Sequence, residues 1–176
     1  LGSPEEWGSW PVLHEGKRIP LIAHPLVLKL LPQLEEQRFV VEALRIPGVT
    51  MNSLEAFMDV DDLLILRAER IADPGELILS TLKQVGKPYD FNFDVETQRE
   101  IVCSELAYVV FTDEDWPTER SLGRYTIGPD QVAWKVFDNR FDVVRLYHDG
   151  KLLTDGAREK LYELIDAPGG IAPFMH

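Results

Sequence analysis

The sequence predicts an α+β fold, with short strands and short helices interleaved rather than alternating as regular βαβ units. Three observations carry that expectation. The runs Arg38–Leu44 (RFVVEAL) and Asp62–Ala68 (DLLILRA) are short, apolar and bounded by turn residues, as strands are. Asp73-Pro74 begins a segment with Asp at N-cap, Pro at N1 and a stop at Gly86, which specifies a helix. Asp149-Gly150 sits between Asp142–His148 and Lys151–Leu153, the pattern of a two-residue hairpin.

Taken in order, residues 1–25 are rich in Pro, Gly and Trp and show no period, so an irregular excursion is expected. Pro25–Leu34 places Val27, Leu30, Leu31 and Leu34 on one helical face. The RFVVEAL strand ends at a Pro47-Gly48 turn, and Ser53 caps a short helix, SLEAFMD. DLLILRA is apolar enough to be buried on both faces. In the helix from Pro74, Leu77, Ile78, Leu82 and Val85 have helical spacing. Between Val102 and Phe111, Cys103, Leu106, Ala107, Val110 and Phe111 form one continuous stripe. Gly128-Pro129 opens a short helix, and Thr154 or Asp155 caps a last one ending near Ala167. No repeat or linker divides the chain, so residues 1–176 are expected to form a single domain.

The chain has 176 residues, 27% of them charged, and a formal net charge of -12. That surface repels nucleic-acid phosphates and anionic headgroups, and Lys17-Arg18 is the only adjacent basic pair. No apolar run approaches the ~20 residues of a membrane span. The single cysteine cannot form an internal disulfide, so it carries little information about compartment. There is no phosphate-binding glycine loop, no Cys/His metal spacing and no serine nucleophile elbow. No cofactor and no metal is therefore expected. Asp59, Asp61 and Asp62 lack the spacing and glycine of a calcium loop, and Asp113-Glu114-Asp115 reads as a solvated corner.

That single cysteine, Cys103, stands where a helix starts. Unpaired amides there favour thiolate and can hold an oxyanion, the requirements of a nucleophile. The same residue lies on the apolar stripe, where cysteine is commonly core, and on local pattern alone the core reading prevails. Ser104 and Glu105 project beside that stripe. A catalytic thiol needs a base. The histidines are His14, His24, His148 and His176. His14 and His24 fall in the N-terminal excursion, His148 beside the hairpin turn, and His176 at the chain end. None is expected in a strand, and each reads individually as structural. Glu42 interrupts an apolar strand on the face of Val40 and Leu44. It is either exposed at a strand edge or orients an imidazole. Tyr89 and Asp90 follow Gly86-Lys87-Pro88. They are either a connecting loop or, for the Tyr89 hydroxyl, an oxyanion donor.

The stretch Gly86–Leu106, GKPYDFNFDVETQREIVCSEL, resembles the permuted NlpC/P60 cysteine hydrolases, in particular their YiiX/YebB-like group. FVVEALRIPGVTMNSLEAFM and DLLILRAE resemble that group's strand–turn–helix and following strand, in the same order. The likeness covers about Arg38 to Phe111 and is loose in the C-terminal third. It implies a circularly permuted papain-like fold, with an antiparallel sheet packed against helices. Residues 1–37 would be an irregular insertion, 38–111 the family core and 112–176 a C-terminal extension. It also implies that Cys103 is the nucleophile and that Glu42 orients the histidine. Tyr89, Asp90 and Ser104 become substrate-binding candidates. The group's Ser/Thr-His-x-Gly motif does not occur in this chain. The expectation is that this histidine strand lies upstream of Leu1, with His24 as the alternative base. The implied activity is hydrolysis of an amide (peptide, isopeptide or cell-wall peptide) or of an acyl ester, in the cytoplasm or at the cell envelope. The rival from another class is a binding module with an incomplete Cys/His site.

Overall fold

The computed structural model describes residues 2–34, 38–97, 99–121 and 123–166; His176 lies outside them. The fold is mixed α+β with antiparallel sheets. Four small sheets stand where one was expected, three of two strands and one of three.

The N-terminal region is more ordered than its composition predicts. Helix α1 (Pro4–Trp7) leads into a hairpin of β1 (Pro11–His14) and β2 (Lys17–Pro20), then a 3₁₀ turn over Leu21–Ala23 and helix α2 (Pro25–Leu34). Trp7, Val12, Leu21, Val27, Leu30 and Leu34 are buried together with Phe39 and with Ile78, Leu79 and Leu82 of α4 (Pro74–Leu82). Burying each such side chain stabilises by roughly 1.5–3 kcal/mol. Long-range packing, with no local period to announce it, orders this segment. His14 lies in a strand after all.

β3 (Phe39–Leu44) and β4 (Gly48–Ser53) form the second ribbon, with Glu42 opposite Thr50 and Ala43 opposite Val49. Ser53 caps the short α3 (Leu54–Phe57) through the Ala56 amide, as predicted. Strand β5 (Leu63–Ala68) pairs with β8 (Phe141–His148), and β8 pairs with β9 (Lys151–Leu153). β5 is less enclosed than its composition suggests: only Leu63 is fully buried. His148, too, lies in a strand. Asp73 caps α4 by accepting from the Glu76 amide, and the helix ends at Leu82, ahead of Gly86.

α5 (Cys103–Val110) packs on the β3–β4 ribbon, where Leu106 and Val109 meet Val41, Ala43 and Val49. β6 (Glu119–Ser121) and β7 (Arg124–Thr126) form a small hairpin ahead of α6 (Pro129–Trp134). Ala133 and Val136 pack with Leu146 of β8 and Leu161 of α7 (Ala157–Asp166). The supposed solvated corner at 113–115 is also corrected. The Glu114 side chain is only 7% exposed, and it pairs with Arg140 and with the buried Lys135.

Candidate active site

The site is built from the segment that joins α4 to α5. Gly86 has φ +89, which only glycine adopts readily, and it turns the chain back onto β4. The Gly86 amide donates to the Val49 carbonyl, and the Val49 amide donates to the Lys87 carbonyl, both at 2.8 Å. Gly48 is required where they meet: a Cβ there would lie 2.3 Å from the Lys87 carbonyl oxygen. On the other side, the Ile101 amide donates to the Pro88 carbonyl at 3.0 Å. This strap sets Tyr89 beside the start of α5, packed with Ala43, Val49 and Ile101.

Asp90 turns inward and is 2% exposed. Its carboxylate accepts from the amides of Asn92 (2.6 Å) and Asp94 (2.8 Å), which closes the loop after the strap. A cavity of about 210 Å³ lies alongside, lined by Asp90, Asn92, Asp94, Arg99, Arg124 and neighbours; Cys103 is not among its lining residues.

Cys103 occupies the first position of α5, after Val102 at the N-cap. The predicted orientation of this turn is reversed. Cys103 is exposed, while Ser104 (6%) and Glu105 (2%) are the buried pair. The Ser104 hydroxyl donates to the Ile127 carbonyl at 2.6 Å and so ties α5 to the segment before α6. The Glu105 carboxylate accepts from the Val102 amide at 3.0 Å, half of a capping box, since valine offers no side-chain acceptor in return.

The electrostatics differ from those expected of an activated thiol. Crowding around the sulfur removes water and pushes the Cys103 thiol up. The amides of Ser104 and of Cys103 itself pull it down, and the Glu105 charge pushes it up again. The Tyr89 hydroxyl is raised chiefly by burial and then by the neighbouring Cys103, while Arg45 draws it down. Tyr89, Cys103 and Glu105 therefore lie within electrostatic reach of one another. Glu105 is itself raised to about 7, first by burial and then by Asp90 and Asp94, against the Val102 amide. Sequence reasoning missed Glu105 as a buried carboxyl. The usable signal was its place three residues after the N-cap, where a Glu reaches back to the N-cap amide.

Glu42 and His24 are not brought to Cys103. Val41 and Ala43 face α5, so Glu42 between them points to the other face of the ribbon, where its Oε1 accepts from Asn52 Nδ2 at 2.5 Å. The His24 ring lies edge-on to His14, with centroids 4.8 Å apart, and its Nδ1 accepts from the Leu26 amide. His148 Nδ1 lies 2.7 Å from Asp62 Oδ1, a pairing that replaces the solvated position expected for it. Among the described residues no histidine interacts with Cys103. Asp62, His148 and Asp149 offer ligand atoms within 4.8 Å of one another at the β5–β8–β9 sheet, whereas α5 with the cysteine packs on the β3–β4 ribbon. No described helix is long and apolar enough to cross a membrane.

Comparison with curated proteins finds no match, and comparison with solved structures finds none either. A family model described as "Permuted papain-like amidase enzyme, YaeF/YiiX, C92 family" matches residues 12–162, which takes in the strap, α5 and, but for Pro11, all four sheets. The chain belongs to this permuted papain-like amidase family, and its helices and antiparallel sheets carry that family's permuted papain-like fold.

Proposed function

We propose that the protein is a cysteine amidase with Cys103 as its nucleophile. The observation that carries this reading is the position of Cys103, an exposed residue at the first turn of α5, where its own amide and that of Ser104 pull the thiol's pKa down. In the reaction, the thiolate attacks the amide carbonyl carbon and the oxygen takes the negative charge. Backbone amides of the first turn and the Tyr89 hydroxyl take the role of donors to that charge. The C–N bond then breaks, the amine leaves with a proton, and water hydrolyses the thioester to return the thiol and a carboxylic acid. A histidine oriented by Glu42 is the proton carrier that motif resemblance implies. That pair rests on sequence likeness, since Glu42 is engaged with Asn52 in this arrangement. Peptide, isopeptide and cell-wall amides and acyl esters are the substrate classes to survey.

The test is hydrolysis of a panel drawn from those classes by the wild-type protein and by Cys103→Ser. Turnover that falls by about 10³-fold or more in the variant supports the reading. Equal rates in the two proteins, or inertness toward iodoacetamide in the folded wild type, would overturn it.

A second reading has its own observation. The thiol is pushed up, and no described histidine touches it. This favours a ligand-binding module that keeps the cleft without turnover. Saturable binding of an amide with no product formed, in a protein whose Cys103 does alkylate, would select that reading.

A further inference from the structure

The β5–β8 pairing assembles a group of side chains that the proposed reaction does not use. Its register sets Leu63 opposite Tyr147. One step further along, Asp62 comes opposite His148, so the two side chains share a face of the sheet. They meet there, with His148 Nδ1 2.7 Å from Asp62 Oδ1. The chain then turns through Asp149 and Gly150, both at positive φ, as a two-residue hairpin requires. That turn is tied to the residues before β5. The Gly150 amide donates to the Asp61 carbonyl at 2.9 Å, and the Asp149 amide to Asp62 Oδ1 at 3.4 Å.

The hydrogen bonds fix which nitrogen of His148 is free. An ionised carboxylate only accepts, so Nδ1 is the donor to Asp62. The neutral ring then carries its lone pair on Nε2, and Nε2 lies 3.8 Å from Asp149 Oδ2. Two electron-rich atoms facing each other call for positive charge between them. A proton on Nε2 does not close the gap, because 3.8 Å is too long for a hydrogen bond. A metal ion about 2.1 Å from each atom does. Asp62 stands where a carboxylate commonly holds the far nitrogen of a metal-bound histidine. The Asp149 side chain is 81% exposed, which leaves the remaining coordination positions to water. An open depression of about 560 Å³ borders the turn, and its lining includes Asp59, Asp61 and Gly150. Lys151, opposite His148 across the β8–β9 pair, is the charge that opposes a cation there.

We propose that His148 Nε2 and the Asp149 carboxylate bind a divalent cation of the zinc class, with Asp62 orienting the imidazole. One imidazole and one carboxylate suit zinc, cobalt, nickel or copper, whereas magnesium and calcium take oxygen ligands. The ion clips the β8–β9 turn to the start of β5 and plays no part in the chemistry at Cys103. Spacing along the chain does not announce the site, because Asp62 and His148 are 86 residues apart.

The test is a titration of the ¹⁵N-labelled Cys103→Ser protein with ZnCl₂, the imidazole nitrogens being followed by long-range ¹H–¹⁵N NMR. The substitution removes the lone thiol as a competing ligand. His148 Nε2 should shift at the lowest zinc concentrations while Nδ1 keeps its proton, and excess MgCl₂ should not reverse the shift. Asp62→Asn should weaken zinc binding at His148 by about 10–100-fold. Asp149→Asn, at an exposed side chain, should weaken it by about tenfold or more and decides the matter alone if the Asp62 variant does not fold. Zinc should raise the melting temperature of the parent and leave that of Asp149→Asn nearly unmoved. A His148 ring indifferent to zinc overturns the site. So does a response of His14 and His24 at the same zinc concentrations, which marks general imidazole binding, or an Asp149→Asn affinity equal to the parent's.

Discussion

Two glutamates with buried side chains mark the two ends of helix α5, and the protein treats them in opposite ways. Beyond its C-terminal end, Glu114 is met by Lys135 Nζ at 3.6 Å and by Arg140 through three hydrogen bonds of 2.7–3.1 Å. At its N-terminal end, Glu105 has the Val102 amide and, nearby, two further acids, Asp90 and Asp94. The first is a balanced ion cluster that joins two stretches of chain: the segment after α5 and the loop between α6 and β8. The second is an unbalanced carboxyl two residues from the thiol. Unbalanced buried charge raises the folded state's energy, and such groups gather where chemistry is done. The comparison supports a structural role for the C-terminal end of α5 and the proposed site at its N-terminal end.

The largest effect that sharpens the contrast is expected at Glu114. Glu114→Ala leaves Lys135, which is 4% exposed, with Asp138 and the Asp115 carbonyl as its remaining partners. A loss on the order of 3 kcal/mol is expected in urea unfolding, the low end for breaking a buried pair because Asp138 stays. A loss below about 1 kcal/mol would remove the distinction drawn between the two glutamates.

Glu105→Gln should act with the opposite sign. The amide oxygen can still accept from Val102, while the charge is gone. The wild-type carboxyl is raised from 4.5 to about 7, so the folded state holds its proton more tightly than the unfolded chain does. Its stabilising contribution is complete below pH 4.5, is lost as pH rises toward 7, and leaves a penalty above that. The difference corresponds to roughly 3 kcal/mol at pH 8. The variant is therefore expected to be more stable than wild type at pH 8 and to lose that advantage by pH 4.5. A stability difference that does not vary with pH would show that Glu105 is not desolvated as described.

How much of this was legible in the sequence divides along the same line. Features set by local chemistry could be read: the Asp73-Pro74 start of α4, the Ser53 cap, the Asp149-Gly150 hairpin, and Cys103 at the head of a helix. Features set by packing between distant segments could not. The region before Pro25 has no period, because Trp7 and Val12 owe their burial to α4, some 65 residues further on. The α5 stripe was read correctly at Leu106 and Val110 and wrongly at Cys103. In a helix's first turn no preceding turn covers the side chains, and the neighbouring loop decides which residue is buried. There the Ile127 carbonyl draws Ser104 inward, and the Val102 amide draws Glu105. Strand β4 was read only as a turn and a cap, because its GVTMNS sequence carries little apolar alternation.

The thiol reports on the charge at Glu105 directly. Burial and Glu105 push Cys103 above its ordinary value of 9.0, so the thiolate grows with pH through the neutral range. Its alkylation rate should rise close to tenfold per pH unit from 6 to 8 and show no plateau there. Glu105→Gln removes one of the two raising influences and should speed labelling at pH 8. A plateau below pH 8 in the wild type would mean that a cation partners the thiol, and the unbalanced picture of this end of α5 would fail.

The smallest expected effect is at His24, and it tests whether the two ends of the site's polypeptide communicate. His24 is held low first by burial, then by His14 and Lys83, with Glu76 opposing. All of these groups belong to β1, to α4 or to its C-cap, and none is among the influences on the Cys103 thiol. An imidazole that served Cys103 would lower the thiol's pKa when protonated, and removing it would cut labelling many-fold near neutral pH. In the arrangement described, His24→Ala should change the Cys103 alkylation rate by less than about twofold at every pH, because a charge screened and distant contributes little. The variant should still lose some stability through the His14 ring contact and the Leu26 amide bond, on the order of 1 kcal/mol. Stability and reactivity thus separate: a base would move the second, and a scaffold residue moves only the first. A fall in labelling larger than the fall in stability explains would return His24 to the site and require the N-terminal hairpin to swing toward α5.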